Sequence, residues 1–211
     1  MVDGVVVLIV IALFVIIGGG AVAGFHLKDK RWQRVHEFAV RHDWAAVEED
    51  SSLAQRYGGK PFDRGRSRRA RNVVRGTHRG RPFVAFEYSY SDGENTHTYG
   101  VYAVGLGETV PVLEVRERGV RMTLLRLVGL EGVRTGDIEF DQRFAVEVGD
   151  EPTVGRLLTP PVRAQLLQGW HPATARLRFE GAELWTWTRG HAEPEDLLPV
   201  LDYLCAVAGA G

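Results

Sequence analysis

The chain has 211 residues, 45% of them hydrophobic, with 26 basic and 27 acidic side chains and a formal net charge of −1. That balance excludes a protein that holds nucleic acid through bulk positive charge, and the length suits one domain with a substantial core. Cys205 is the only cysteine, so no intrachain disulfide staples the fold and no cysteine-rich zinc site exists.

Residues 5–25 run for 21 positions without a charge. At about 1.5 Å per residue such a helix spans the roughly 30 Å hydrocarbon core of a bilayer, which predicts an N-terminal transmembrane anchor over residues 1–25. Only Asp3 is charged before the run, unlike the basic start of a secretory signal; Ala21-Val22-Ala23 is the one cleavage-like feature. Lys28, Lys30, Arg31, Arg34 and Arg41 follow it, and the positive-inside bias then predicts a single-pass plasma-membrane protein with a cytoplasmic domain. The alternative is an extracytoplasmic domain, or one secreted after signal cleavage. Gly20 and Gly24 have the small-xxx-small spacing of helix association, the candidate contact of a homodimer; otherwise they are glycines that a membrane helix tolerates.

Residues 27–42 carry Trp32, Val35, Phe38 and Ala39 at helical spacing, so residues 26–43 read as a juxtamembrane helix and 44–211 as a single α+β domain. A short helix is expected over 52–57. Strands follow at 68–76 and 82–90 around His78-Arg79-Gly80-Arg81, then at 96–106, 112–117, 121–128 and 137–148. Gly105-x-Gly107 lacks the third glycine of a dinucleotide loop and reads as a strand-end turn. Two short helices are expected at 151–158 and 161–167, then a hairpin, 173–180 with 183–189, around Gly181-Ala182. The last helix sets Leu197, Val200, Leu201, Leu204 and Val207 on one face, with Pro194 in its first turn and Pro199 further in. The expected fold class is therefore α+β: an N-terminal transmembrane helix, then an antiparallel β-meander with flanking helices and a C-terminal helix.

Eight arginines and His78 lie between residues 64 and 81, with no acid among them. Arg64, Arg66, Arg68, Arg69 and Arg71 are the candidate contacts for anionic lipid headgroups or other phosphates; the bland alternative is a solvated hairpin whose charges guard an edge. A two-residue Arg79-Gly80 turn would set Arg71 and Arg75 on the face of Phe86 and Tyr88, an interleaving that binds single-stranded nucleic acid. Snorkelling arginines around core aromatics give the same pattern. Seven scattered histidines show no zinc-helix spacing, and neither metal nor cofactor is expected. Asp137, Glu139 and Asp141 would share a face if extended, as a cation or acid–base site or as a plain polar face. Trp185 and Trp187 share a strand face, as core or as a ligand platform.

Pro61-Phe62-Asp63-Arg64-Gly65, Asn72-Val73-Val74-Arg75-Gly76, Phe86-Glu87-Tyr88-Ser89-Tyr90, Phe140-Asp141-Gln142-Arg143-Phe144-Ala145-Val146 and Arg156-Leu157-Leu158-Thr159-Pro160 together carry a resemblance. The domain resembles a group of uncharacterised actinobacterial single-pass membrane or secreted proteins with a Phe-Asp-x-x-Phe-x-Val motif. The resemblance implies membrane attachment and no activity. The expectation is thus a binding or scaffolding domain at the cell envelope, partnered by the bilayer and by another membrane or envelope protein. A nucleic-acid-binding domain is the first alternative, and an enzyme of unrecognised type the second.

Overall fold

The computed structural model describes residues 30–118, 133–169 and 176–211. A helix, α1 (30–41), leads into β1 (Ala45–Glu49), a 3₁₀ turn (Leu53–Gln55), β2 (Arg66–His78), β3 (Arg81–Ser91) and β4 (Thr96–Glu117). Then come α2 (Ile138–Arg143), β5 (Phe144–Val148), α3 (Glu151–Leu157), α4 (Pro160–Gly169), β6 (Arg176–Arg189) and α5 (Pro194–Gly209). The described strands form one antiparallel sheet in the order β1-β2-β3-β4-β5, with β6 on the other side of β4.

β4 organises this sheet. Its 22 residues pair with β3 over 96–104, with β5 over Leu113–Glu117, and with β6 along almost the whole opposite edge. The register with β6 shifts between Gly105 and Val110, and Gly107 there has φ +88°, which glycine adopts at little cost. The two glycines therefore bend one strand instead of ending it. Gly181 does the same opposite: with φ +59° it bends β6 within a single strand, so the expected hairpin at Gly181-Ala182 is not formed. Residues 137–143 are not extended either. Asp137 accepts a hydrogen bond from Phe140 N at 3.2 Å and caps α2, so Asp137, Glu139 and Asp141 do not form a strand face.

Alternation along β3 separates two cores. Phe83 and Ala85 face one side with Tyr102, Val104 and the helices, including Val35 and Ala39 of α1 and Leu197, Val200, Leu201 and Leu204 of α5. Val84, Phe86, Tyr88 and Tyr90 face the other side, where Tyr57, Phe62, Trp185 and Trp187 cover them. Both tryptophans are core residues, 1% and 7% exposed. Cys205 is buried, and that burial pushes its thiol up, away from reactivity.

The expected membrane span over residues 5–25, with Gly20 and Gly24, lies outside the described residues, as does the strand expected at 121–128. Among the described residues no helix is long and apolar enough to cross a membrane. α5 has 16 residues, about 24 Å at 1.5 Å each, and carries Glu195, Asp196 and Asp202. The fold class is accordingly corrected from an anchored meander to an antiparallel-sheet domain with helices. The placement as a single-pass plasma-membrane protein is not carried forward.

Asp50, between β1 and the 3₁₀ turn, accepts from Ser52 N at 2.9 Å and Ser52 Oγ at 2.6 Å and pairs with Arg75. Ser52 first, then Arg75, hold its carboxyl down at about 2. A depressed folded-state value favours the charged form, so this contribution is complete above the ordinary 3.8 and fades as pH falls through about 2. Asp50→Asn is therefore expected to melt below the parent protein at pH 7, with the gap closing between about pH 4 and pH 2. Circular-dichroism melts across that range check it; a gap independent of pH would contradict it.

Candidate functional site

The arginine-rich hairpin closes as its sequence suggests. Arg79 and Gly80 form the two-residue turn with φ +49° and +77°, and His78 pairs with Arg81. Two bulges then alter its faces. The register shifts between Arg71 and Val74 and again between Arg66 and Arg69, where Asn72 (φ +49°) and Ser67 (φ +51°) are the extra residues. Arg71 consequently pairs with Glu87 and Arg69 with Ser89, on the face opposite Phe86 and Tyr88. Arg75, opposite Val84, does share the face of Phe86 and Tyr88, but those two rings are fully buried, so no base can stack on them.

Most of the arginine run is internally paired. Arg71 Nε lies 3.2 Å from Glu49, and Arg69 Nε lies 3.9 Å from the same carboxylate. Arg75 holds Asp50, and Arg79 meets Asp202 of α5 at 2.7 Å. Arg81 donates to the carbonyls of Gly105 and Ala208 at 2.9 and 2.8 Å, tying the hairpin to the β4 bend and to the end of α5. Arg64, Arg66 and Arg68 are exposed and have no ion pair among the described residues. Asp141 accepts from Thr135 N, Thr135 Oγ1 and Gly136 N, and Asp137 pairs with Arg163, so both carboxylates hold a loop. Among the described residues no group of three or more His, Cys, Asp or Glu side chains is placed to hold a metal ion.

The bulges also build a groove of about 640 Å³ over the far end of the β2–β3–β4 face. Its floor carries Ser89, Ser91, Thr96 and Thr98, its β2 wall Arg69 and Asn72, and its other wall Arg31 and Trp32 of α1 with His191. The size falls within the roughly 300–1,000 Å³ of small-molecule sites, while the lining is more polar than most. At its inner end sits Glu87, a carboxylate 7% exposed on a strand between two buried aromatics.

Around Glu87 the polar groups converge. His191 Nδ1 is 3.1 Å from Glu87 Oε2 and 2.8 Å from Arg31 Nη1. One nitrogen cannot donate to the carboxylate and accept from the guanidinium together, so the imidazole's tautomer selects its partner. Arg31 Nε stands 3.8 Å from Glu87 Oε1 and 3.7 Å from Glu193, which Arg34 also meets at 3.0 Å. Gly100, next to Glu87 in the β3–β4 pairing, leaves room for this junction: a Cβ there would come within 3.1 Å of the Ala192 backbone. The Tyr102 hydroxyl is buried nearby without a hydrogen-bond partner; burial first, then Asp196, Glu193 and Glu87, push its pKa up.

The arrangement can hold a polar ligand. Glu87 and His191 make a carboxylate–imidazole pair, but among the described residues no hydroxyl or thiol hydrogen-bonds to His191. The site was not legible as a motif, because its partners are 104 and 160 residues apart. Its one local signal is Glu87 itself, a lone carboxylate inside Val84-Ala85-Phe86-Glu87-Tyr88.

No family model matches the chain, and no curated protein matches it. Among solved structures, it matches the crystal structure of the mycobacterial trehalose monomycolate transport factor A, TtfA, with a TM-score of 0.58 and 16% identity over 85% of this chain and 93% of that one. At that identity the likeness is one of fold: this chain is similar to the transport factor in the path of its backbone.

Proposed function

We propose that this chain is a binding domain that serves the movement of a glycolipid in the cell envelope. The observation that carries this reading is the groove: a buried carboxylate set against Arg31 and His191 at the end of a hydroxyl-lined floor. The fold likeness supports it, since the neighbouring structure is that of a trehalose monomycolate transport factor and the two share most of their length. In this reading Arg64, Arg66 and Arg68, all exposed, contact an anionic headgroup or an acidic partner, each contributing about 1 kcal/mol within a Debye length of such a surface.

Deleting the gene in its host is the test, with envelope lipids labelled and separated into inner and outer fractions. The expected result is one glycolipid retained in the inner fraction and restored by the intact chain. Serine at Arg64, Arg66 and Arg68 together should restore it only in part, and full restoration would remove these residues from the reading. An unchanged lipid distribution in the deletion strain would sink the proposal.

A further inference from the structure

We infer that the groove over the β2–β3–β4 face binds a neutral, hydroxyl-rich sugar, free or as a lipid headgroup; this rests on the reading above and names its ligand class. Glu87 decides the chemistry. Its side chain is nine-tenths buried, it lines the groove, and its Oε1 has no hydrogen-bond partner. Facing it at 3.8 Å is Arg31 Nε, also buried and without a hydrogen-bond partner. Buried polar atoms are almost always satisfied, so one open acceptor beside one open donor asks for a group that serves both. A hydroxyl does so: it gives its proton to the carboxylate and accepts one from the guanidinium.

Other ligand classes fit poorly. A phosphate or carboxylate would bring its charge against Glu87, and an ammonium would bring its own against Arg31. A hydrocarbon would leave both atoms unsatisfied. The surroundings repeat the preference for hydroxyls. Ser89 and Thr98 lie along the floor, Asn72 offers an amide that donates and accepts, and the Trp32 indole supplies an apolar flank for the carbon face of a sugar ring. Arg31 lies over Glu87 with a quarter of its side chain exposed, so it has room to lift as a hydroxyl enters. His191 Nδ1 lies within reach of both and bonds to one of them at a time.

The test uses the full chain, kept free of sugar-headed detergents, which would compete. Glucose, maltose and sucrose are titrated by ligand-detected NMR and calorimetry, with inorganic phosphate as the charged control. At least one sugar is expected to bind at millimolar concentration, undisturbed by phosphate. Glu87→Gln keeps the shape but removes the charged acceptor, so affinity should fall at least about tenfold. Trp32→Ala should weaken binding several-fold, and it carries the test if the Glu87 variant does not fold. Wild-type protein that binds none of the sugars, a Glu87→Gln variant that binds as tightly, or displacement of sugar by phosphate would each overturn the inference. Retention on vesicles bearing a neutral glycolipid, beyond that on vesicles without it, assigns the headgroup as the source; binding of dissolved sugars alone assigns the free form. Failure here leaves the lipid-distribution result standing, and an unchanged lipid distribution would sink the transport reading even where sugars bind.

Discussion

Trp185→Ala is expected to cost about 3–5 kcal/mol and to lower the melting temperature by roughly 10 °C. Trp185 is 1% exposed and is the largest fully buried side chain among the described residues. It lies on β6 opposite Ala103 of β4, and Tyr57, Phe62 and Trp187 pack around it with centroids 4.7, 5.3 and 4.9 Å away. The Arg178 guanidinium covers it from 5.6 Å. Truncation to alanine removes the indole's transfer free energy and leaves a cavity walled by rigid rings, which collapse poorly. Trp185→Phe should recover part of the loss, since a ring remains in the slot. Denaturant titration followed by circular dichroism reads both variants. A cost below about 1 kcal/mol for the alanine would show that the segment carrying Tyr57 and Phe62 does not pack on this face.

Gly65→Ala is expected to destabilise by about 2–4 kcal/mol, from two sources that a control separates. Gly65 has φ +70°, where an L-residue is strained. A Cβ there would also fall 2.2 Å from Tyr90 Cδ2 and 2.6 Å from the Ser91 carbonyl oxygen, and the backbone atom cannot swing aside. Gly80 has a similar φ of +77° but nothing within 4 Å of its hypothetical Cβ. Gly80→Ala should therefore show the backbone strain alone, about 1–2 kcal/mol. Tyr90 and Ser91 also line the groove, so the Gly65 variant should weaken any ligand seated there, whereas the Gly80 variant should not. Equal losses in the two variants would mean that the loop before β2 moves freely away from β3.

Local chemistry explains which elements could be read in advance. α5 was legible because Leu197, Val200, Leu201, Leu204 and Val207 repeat at helical spacing after a proline at its first position. The Arg79-Gly80 turn was legible because a two-residue hairpin needs positive φ, which glycine supplies. α2 was misread as a strand: it has only six residues, and its helical state depends on the Asp137 cap and on Phe140 reaching the core. β4 was divided at Gly105 and Gly107 because glycines weaken a strand, yet pairing with β6 carries it through the bend. The candidate site suffered most. Without its bulges β2 would turn Arg71 toward Phe86 and Tyr88; with them Arg71 pairs with Glu87. A one-residue slip in a period-two element reverses every face beyond it.

The sequence by itself determined the antiparallel, helix-flanked character of the domain, the amphipathic closing helix and the arginine hairpin, since each depends on neighbours within a few residues. Tertiary structure alone decided that five of the eight hairpin arginines answer to Glu49, Asp50, Asp202 or backbone carbonyls. It alone also brought Glu87 against Arg31 and His191. Those pairings join residues far apart in the chain, and no local preference encodes a contact that exists only after the sheet has bulged and folded under α1.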